Sequence, residues 1–193
     1  MNFISLDFET ANRSRVSICA AGLALFENGA MTKTPYWLVR PPRGHDLFLP
    51  EFTAIHGLTR LEVRDAPEFP AIAPKLLQWL TCADVVIAHN APFDIGVLRN
   101  TLDHFGLQHP KFDYFCTCVV SRRIWPDLPD HKLNTLAAHI GHQFHHHQAQ
   151  SDAEAAGRVL LAMMKYAKVK TPAELLRKAG VVPKRFCPQA NAA

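Results

Sequence analysis

The pattern of apolar and polar residues predicts strands and helices that alternate along most of the chain. Short apolar runs of strand length occur at residues 3–8, 17–26, 31–39, 84–88 and 112–115. Between the second and third runs stands Glu27-Asn28-Gly29, and its Asn-Gly pair is a strong hairpin signal. Helical spacing of apolar residues covers 70–80, 90–105, 117–124, 133–140, 151–167 and 171–178. The order of these elements predicts an α/β fold with a hairpin at the edge of the sheet and helices packed on it.

Cap and turn residues set the expected limits of these elements. Asn90 is predicted to cap the helix that runs to about residue 105, with Pro92 tolerated in its first turn. Thr171 and Pro172 are typical of the N-cap and first position of the last helix. The tail from 181 to 193 contains two prolines and a polar end, and is expected to be loosely ordered.

Length and composition indicate an ordinary globular domain. With 193 residues, 48% of them hydrophobic, the chain can bury a core without disulfide or metal support. The longest nearly apolar run, 16–26, is too short to span a bilayer, and the N-terminus does not resemble a signal peptide. The five cysteines follow no disulfide framework, so we expect reduced thiols and a cytoplasmic location. The net charge of +4 is compatible with a polyanionic partner but does not require one.

Two carboxylates close the first predicted strand. Asp7 and Glu9 are two residues apart, so their side chains point to the same face of that strand. Like charges on one face repel each other, and a hard divalent cation such as Mg²⁺ would relieve that repulsion. The alternative is that Glu9 lies beyond the strand end in solvent, and this pair alone does not decide between the two.

Two further acidic residues lie near predicted helix starts. Asp94 follows the buried run at 84–88, where an acidic side chain would also simply complement the helix dipole. Asp152 lies within Ser151–Glu154, which resembles a capping box. His147 precedes Asp152 by five residues, so a histidine base and a carboxylate ligand could share one site.

Taken together, three motifs resemble those of the DEDDh family of 3'→5' exonucleases, which includes the proofreading epsilon subunit of bacterial DNA polymerase III. The Asp-x-Glu-Thr motif is matched by residues 7–10, Asn-x-x-Phe-Asp by 90–94, and His-x-Ala-x-x-Asp-Ala by 147–153. Weaker signatures are Ile-His-Gly-Leu-Thr at 55–59 and His-Lys-Leu-Asn-Thr-Leu at 131–136. The resemblance runs in order from residue 3 to about 165.

The chain departs from the family pattern in two places. Cys116 stands where many relatives have Asp, a position for which we expect no catalytic duty. His147 is the last of three consecutive histidines, so only the offsets to Ala149 and Asp152 select it over His146.

The resemblance implies a ribonuclease H-like fold with a central mixed five-stranded sheet flanked by helices. It implies an exonuclease domain at residues 1–168 and a short helical or loose tail at 169–193. Asp7, Glu9, Asp94 and Asp152 would hold two Mg²⁺ or Mn²⁺ ions about 3.5–4 Å apart, and His147 would be the general base. The product would be a nucleoside 5'-monophosphate released from the 3' end.

The resemblance also suggests contacts to the substrate strand. The candidates are Phe8, Thr10, His56, Leu58, Asn90 and Phe93, although Phe93 is as readily a core residue and His56 a turn residue. Single-stranded DNA is the favoured substrate, and a DNA polymerase or a second copy of the chain is a possible partner. Arg13, Arg15, Arg122, Arg123 and Lys132 could contact phosphates or merely solvate a face.

Three alternatives stay open from sequence alone. A structural zinc module would use the histidines between 139 and 147, but Gly141 interrupts a helix there and no partner pair has suitable spacing. A non-catalytic nucleic-acid or polymerase-binding subunit would require the carboxylates to be vestigial. An exoribonuclease of the RNase T or oligoribonuclease type would use the same motifs, because the 2'-OH is recognised through local contacts.

Overall fold

The computed structural model describes residues 2–188, and a mixed seven-stranded sheet forms their centre. Its strands are β1 (Asn2–Thr10), β2 (Ile18–Glu27), β3 (Ala30–Lys33), β4 (Tyr36–Leu38), β5 (Val85–Ala88), β6 (Phe112–Cys116) and β7 (Lys184–Phe186). The order across the sheet is β3-β2-β1-β5-β6-β7, and β4 also pairs with β2. The β1–β5 and β5–β6 pairs are parallel and the others are antiparallel, so the sheet is mixed, as predicted.

Helices cover both faces of the sheet. They are α1 (Pro50–His56), α2 (Arg60–Val63), α3 (Phe69–Cys82), α4 (Pro92–His104), α5 (Thr117–Ile124), α6 (Leu133–His139), α7 (Ala149–Tyr166) and α8 (Pro172–Ala179). Buried residues of α3 and α4 form one core cluster with the sheet, and buried residues of α5, α6, α7 and α8 form a second on the opposite face. The second core cluster includes the stacked rings of Phe3 and Phe26.

Strand β1 lies in the interior of the sheet, and its side chains alternate between the two cores. Ile4, Leu6 and Phe8 point into the core under α3 and α4, whereas Phe3 points into the core under α7. Because strand side chains alternate with a period of two, Asp7 and Glu9 lie on the face that α7 covers. The strand therefore directs its carboxylates toward one helix.

The predicted count of five strands differs from the structure, because the described residues form seven. The predicted run at 31–39 is divided into β3 and β4, and Pro35, which has no N–H to donate to a ladder, lies between them. Residues 184–186 of the predicted loose tail pair with β6 as β7. Such three-residue strands carry no periodic signal, since only the tertiary partner stabilises them. Residues 189–193 of the predicted tail lie outside the described residues.

Two local predictions also differ from the structure. The short helices α1 and α2 occupy a stretch without a long apolar period, and α2 depends on a capping box between Thr59 and Glu62. Asn90 does not cap α4, because its backbone is left-handed (φ 65°) and its carbonyl accepts from the Phe93 N–H (2.9 Å) in a turn before the helix. The N-cap of α4 is Ala91, without a side-chain cap bond.

Within residues 2–188, no helix combines the length and apolar character needed to cross a lipid bilayer.

Candidate metal centre and active site

A cluster of carboxylates forms where the C-terminal part of β1 meets the start of α7. Oxygen atoms of Asp7, Glu9 and Asp152 all lie within 4.8 Å of one another. Glu9 and Asp152 are 9% and 4% exposed, so the cluster is set into the protein surface and not spread over it. Three of the four predicted metal ligands are therefore brought together, from positions up to 145 residues apart in the chain.

The close approach of α7 to the sheet depends on Gly22 of β2. Gly22 pairs with Asp7 in the β1–β2 register, and a Cβ atom added to it would overlap the backbone of Ala149 and Gln150 at the start of α7. The first turn of α7 thus rests directly on the strand beside Asp7. This contact brings Asp152 to the carboxylates of β1.

We predict that Gly22→Ala displaces the start of α7 and weakens metal binding. Overpacking typically costs about 1–3 kcal/mol, and here the overlapping atoms are backbone, which yields less readily than a side chain. In thermal melts, Gly22→Ala should lower the melting temperature and reduce the further rise produced by Mn²⁺.

Gly157→Ala is the matched control for this prediction. A Cβ atom at Gly157 would overlap the Phe26 ring in the core and not the start of α7. This variant should also be destabilised but should keep the Mn²⁺-induced shift. Equal shifts in the two variants would show that Gly22 does not control the metal site.

Asp94 reaches the site from the opposite side of β1. Its Oδ1 accepts a hydrogen bond from the Phe8 backbone N–H (3.0 Å), between the two acidic residues of β1. Strand β5 pairs with β1 only at residues 3–5, so Asp94 bonds to the strand beyond the end of that ladder. Asp94 is not among the three residues whose oxygens lie within 4.8 Å, although its charge acts directly on Asp7.

Burial and mutual repulsion make these carboxylates difficult to ionise. Burial, followed by the charges of Asp94, Glu9 and Asp152, raises the pKa of Asp7 well above its ordinary value. Burial and then the charges of Asp152 and Asp94 raise the pKa of Glu9 to about 8. Burial also raises the pKa of Asp94, against the lowering effect of the hydrogen bond from Phe8. Within the described part of the protein, these three carboxyl groups have no ion pair with a basic side chain that would compensate their charge.

The donor set fits a hard divalent cation. The Asp7, Glu9 and Asp152 oxygens converge on one point, and Mg²⁺ and Mn²⁺ prefer oxygen ligands. No lysine or arginine forms a salt bridge with any of the four carboxylates among residues 2–188. A bound cation would supply the missing positive charge.

Two adjacent histidines contact Asp152 in different ways. The His147 backbone N–H donates to Asp152 Oδ2 (2.9 Å), and His146 Nδ1 lies 3.1 Å from Asp152 Oδ1. The two imidazole rings stack with their centroids 3.8 Å apart. His147 is left-handed (φ 64°), a conformation that turns the chain just before α7. Burial and the neighbouring His146 lower the pKa of His147, so its ring is neutral at neutral pH.

His56 connects α1 to the end of β1. The Leu58 N–H donates to His56 Nδ1 (3.0 Å), which places the ring proton on Nε2, and Nε2 donates to the Thr10 carbonyl (3.2 Å). Thr10 itself is buried, and Leu58 packs on the cluster formed by Ala11, Cys19 and Val63. His56 therefore holds a turn, which was one of its two sequence interpretations, beside the strand end that carries Glu9.

The remaining predicted substrate residues differ in accessibility. The Phe8 side chain is fully buried in the core, so only its backbone faces the site. Phe93 is partly exposed, and the Arg15 guanidinium lies 5.8 Å from its ring centroid. Asn90 is exposed in the turn before α4. These positions leave Phe93 and Asn90 available to a ligand.

Sequence reasoning missed the roles of three residues that shape the site. Gly22 lies in no predicted turn or motif. His146 was considered only as the alternative to His147 for the histidine of the third motif. Arg15, considered from the sequence as a phosphate contact or a solvated residue, instead donates to the carbonyls of Pro92 (3.2 Å) and Phe93 (3.0 Å) at the start of α4. A basic residue that bonds backbone carbonyls carries no sequence signal.

The zinc module considered from the sequence is not formed by the whole histidine stretch in residues 2–188. The groups of possible metal ligands found there contain His146 and His147 with Asp152, and none contains His139, His142 or His145. His139 packs edge-on to Trp125, and His142 stacks on Phe144.

Comparison with protein families matches residues 4–160 to the Exonuclease (RNase_T) family model. A PolC-type DNA polymerase III of Caldanaerobacter subterraneus subsp. tengcongensis is 30% identical over 167 residues, which are 84% of this chain and 11% of that protein. The 3'-5' exonuclease DinG of Bacillus subtilis is 29% identical over 168 residues, 84% of this chain and 17% of that protein. The chain thus spans less than a fifth of the length of either relative.

Solved structures of exonucleases share the fold. Exonuclease X, in complex with 5' overhanging duplex DNA, superposes with a TM-score of 0.73 at 23% identity, covering 92% of this chain and 99% of that one. The nuclease domain of 3'hExo, a DEDDh family member bound to rAMP, gives a TM-score of 0.71 at 17% identity, with coverages of 85% and 92%. These likenesses show the ribonuclease H-like exonuclease fold that the motifs implied.

Proposed function

Because this chain belongs to the Exonuclease (RNase_T) family, we propose that it is a metal-dependent 3'→5' exonuclease. It hydrolyses phosphodiester bonds from the 3' end of nucleic acid and releases nucleoside 5'-monophosphates, with single-stranded DNA as the favoured substrate. Residues 1–168 form the exonuclease domain in this proposal, and the family match to residues 4–160 supports that division.

The convergence of Asp7, Glu9 and Asp152 within 4.8 Å is the observation that carries the proposal. These residues, with Asp94 beside Asp7, would hold two Mg²⁺ or Mn²⁺ ions. When bound, such ions acidify a water and neutralise charge on the leaving 3' oxygen. Asp94 also fixes the backbone of Phe8 between the two acidic residues, which keeps the β1 carboxylates in place.

His147 is the proposed general base. Its pKa is lowered, so the ring is neutral and able to accept a proton at neutral pH. The hydrogen bond from the His147 backbone N–H to Asp152 keeps the backbone of the base next to a metal ligand. The turn held by His56 places Leu58 beside the buried Thr10 at the strand end, where we expect the terminal nucleotide to bind. Phe93 offers a ring on which a base of any sequence can stack.

Deoxyribose is the favoured sugar of the substrate. DNA is preferred because the relatives include PolC-type DNA polymerases and one structural neighbour, Exonuclease X, was solved with duplex DNA. RNA is the second candidate, since one structural neighbour, a 3'-exonuclease, was solved with a histone mRNA stem-loop. Polymerase activity is not carried over, because this chain covers 11% of the PolC-type relative. A DNA polymerase or a second copy of the chain remains a candidate partner.

Degradation of matched DNA and RNA oligonucleotides tests the proposal. Single strands labelled at the 5' end should give a ladder that shortens from the 3' end with Mg²⁺ or Mn²⁺, and no products with EDTA. The faster of the two substrates identifies the preferred sugar, and chromatography should identify nucleoside 5'-monophosphates.

A folded protein that cleaves neither strand with either metal would contradict the exonuclease proposal. Binding of the same strands without cleavage would instead favour the non-catalytic subunit. Products with internal cleavage or a shortened 5' end would contradict the proposed direction.

A further inference from the structure

A cleft rich in arginine lies outside the carboxylate site. Its volume is about 410 Å³, and four guanidinium-bearing side chains line it together with two carboxylates. We call this the arginine cleft, and its charged lining residues are Arg40, Arg43, Arg60, Arg64, Asp46 and Glu68. A volume of this size falls in the range of small-ligand sites, roughly 300–1,000 Å³.

The arginine cleft carries more positive than negative charge. Arg40 pairs with Glu68 and Arg60 with Asp46, each at 3.3 Å. Arg43 has no ion pair among residues 2–188, and the partner of Arg64 is Asp65, which is 83% exposed and does not line the cleft. Exposed ion pairs of this kind are weak, so the arginines remain available to an anion.

The chemistry of the lining suits a phosphate group. Guanidinium groups bind phosphate through paired hydrogen bonds with planar geometry. The uncharged part of the lining is apolar and consists of Pro41, Phe48 and Val63. The polar groups of the lining within residues 2–188 are therefore the arginines, which suit phosphate, and two carboxylates, which Arg40 and Arg60 already pair.

The apolar residues that line the arginine cleft belong to the same packed cluster as residues beside the candidate active site. Phe48 and Val63 pack in one apolar cluster with Leu58 and Ala11. Ala11 directly follows Thr10 at the end of β1, and its carbonyl accepts from the Leu49 N–H (3.0 Å). The cleft therefore opens beside the residues proposed to meet the terminal nucleotide.

We propose that the arginine cleft binds a backbone phosphate of the substrate strand upstream of the scissile bond. This inference rests on the proposed exonuclease function and extends it to longer substrates. The contact is to phosphate, so it acts on any sequence and weakens as salt rises. A strand too short to reach the cleft gains nothing from it.

The double variant Arg43→Ala/Arg64→Ala tests the proposal. Neither side chain has a partner lining the cleft, so removing them leaves no carboxylate unpaired there. Binding of a 5'-labelled single-stranded DNA 20-mer is measured in EDTA over a series of salt concentrations. We expect affinity to fall about tenfold near 0.1 M salt. The slope of log K against log salt concentration should become shallower by roughly 0.7 for each phosphate that is no longer bound. Hydrolysis of a dinucleotide with Mn²⁺ should stay within about twofold of the wild type.

Lys165→Ala/Arg177→Ala is the matched control, because it removes the same number of charges from exposed positions of α7 and α8. Equal reductions of 20-mer affinity in the two variants would overturn the proposal in favour of overall charge. An equal reduction of dinucleotide hydrolysis and 20-mer binding would overturn it in favour of an effect on the active site. Inorganic phosphate binding that the cleft variant abolishes, with 20-mer binding unchanged, would assign the cleft to a free anion instead.

The binding measurement separates this inference from the proposed function. If the wild-type protein cleaves nothing but its 20-mer affinity still depends on Arg43 and Arg64, the exonuclease proposal fails and the phosphate site stands. If cleavage proceeds and the cleft variant binds the 20-mer as the wild type does, the phosphate site fails alone.

Discussion

Asp7→Asn should abolish hydrolysis while leaving the protein folded. Asp7 lies in the interior of the sheet and shares the cluster with Glu9 and Asp152. We expect activity to fall by more than about a hundredfold, since losing a group that merely orients a metal ligand already costs roughly 10–100-fold. Steady-state degradation of a labelled single strand with Mn²⁺ measures the loss.

The same variant should be more stable than the wild type without metal. Asparagine keeps the shape of Asp7 but cannot ionise, so the folded protein no longer bears the cost of burying that carboxyl group beside Asp94, Glu9 and Asp152. The melting temperature in EDTA should therefore rise, and the added stabilisation by Mn²⁺ should shrink. Asp65→Asn, at an exposed position, serves as the control and should change neither value. Full activity in Asp7→Asn would show that the cluster does not hold the catalytic cation.

The pH dependence of wild-type stability gives an independent measure of the same cluster. The pKa of Glu9 is raised from 4.5 to about 8, so between these values the folded protein holds a proton that the unfolded chain has lost. Stability without metal should fall as pH rises through this window, by up to about 1.4 kcal/mol per pH unit for one proton. Stabilisation by Mg²⁺ should consequently be larger at pH 8 than at pH 6.

His147→Asn should slow chemistry without removing the metal. The backbone of His147 is left-handed, and asparagine tolerates that conformation better than alanine does. We expect kcat to fall about 10²- to 10⁴-fold, the usual contribution of a positioned base. The Mn²⁺-induced rise in melting temperature should persist, because the backbone bond to Asp152 does not involve the imidazole.

His146→Asn provides the comparison that decides which of the two adjacent histidines is the base. His146 contacts Asp152 through Nδ1, so its removal should disturb a ligand but leave the base in place. The wild-type rate should fall at acidic pH with a midpoint below the ordinary pKa of imidazole, because the pKa of His147 is lowered. This fall should disappear in His147→Asn. A fully active His147→Asn with an inactive His146→Asn would show that His146 is the base.

The sequence was sufficient for the sheet class and for the residues that converge on the site. Alternation along β1 places Asp7 and Glu9 on one face, and short motif spacings bring His147 next to Asp152. These relations are local, so periodicity and motif spacing carry them. The likeness of the whole pattern to a known family joined motifs that are far apart in the chain.

Features that depend on distant contacts could not be predicted in this way. The overlap that Gly22 avoids with Ala149 joins positions 22 and 149, and neither residue type signals such an approach. Strand β7 exists because β6 offers it a ladder, and Asn90 turns the chain where helix capping was expected. In each case the tertiary partner decides between conformations that the local sequence allows equally.

The separation of the ligands along the chain has a consequence for folding. Asp7 and Glu9 are near the N-terminus, whereas Asp152 comes from α7, the last long helix. Contacts of such high sequence separation form only after the loop between them has been closed, and larger proteins fold from the N-terminal part during synthesis. A nascent chain that ends before α7 would hold only part of the cluster. We therefore expect the protein to be unable to hydrolyse nucleic acid until α7 has been synthesised.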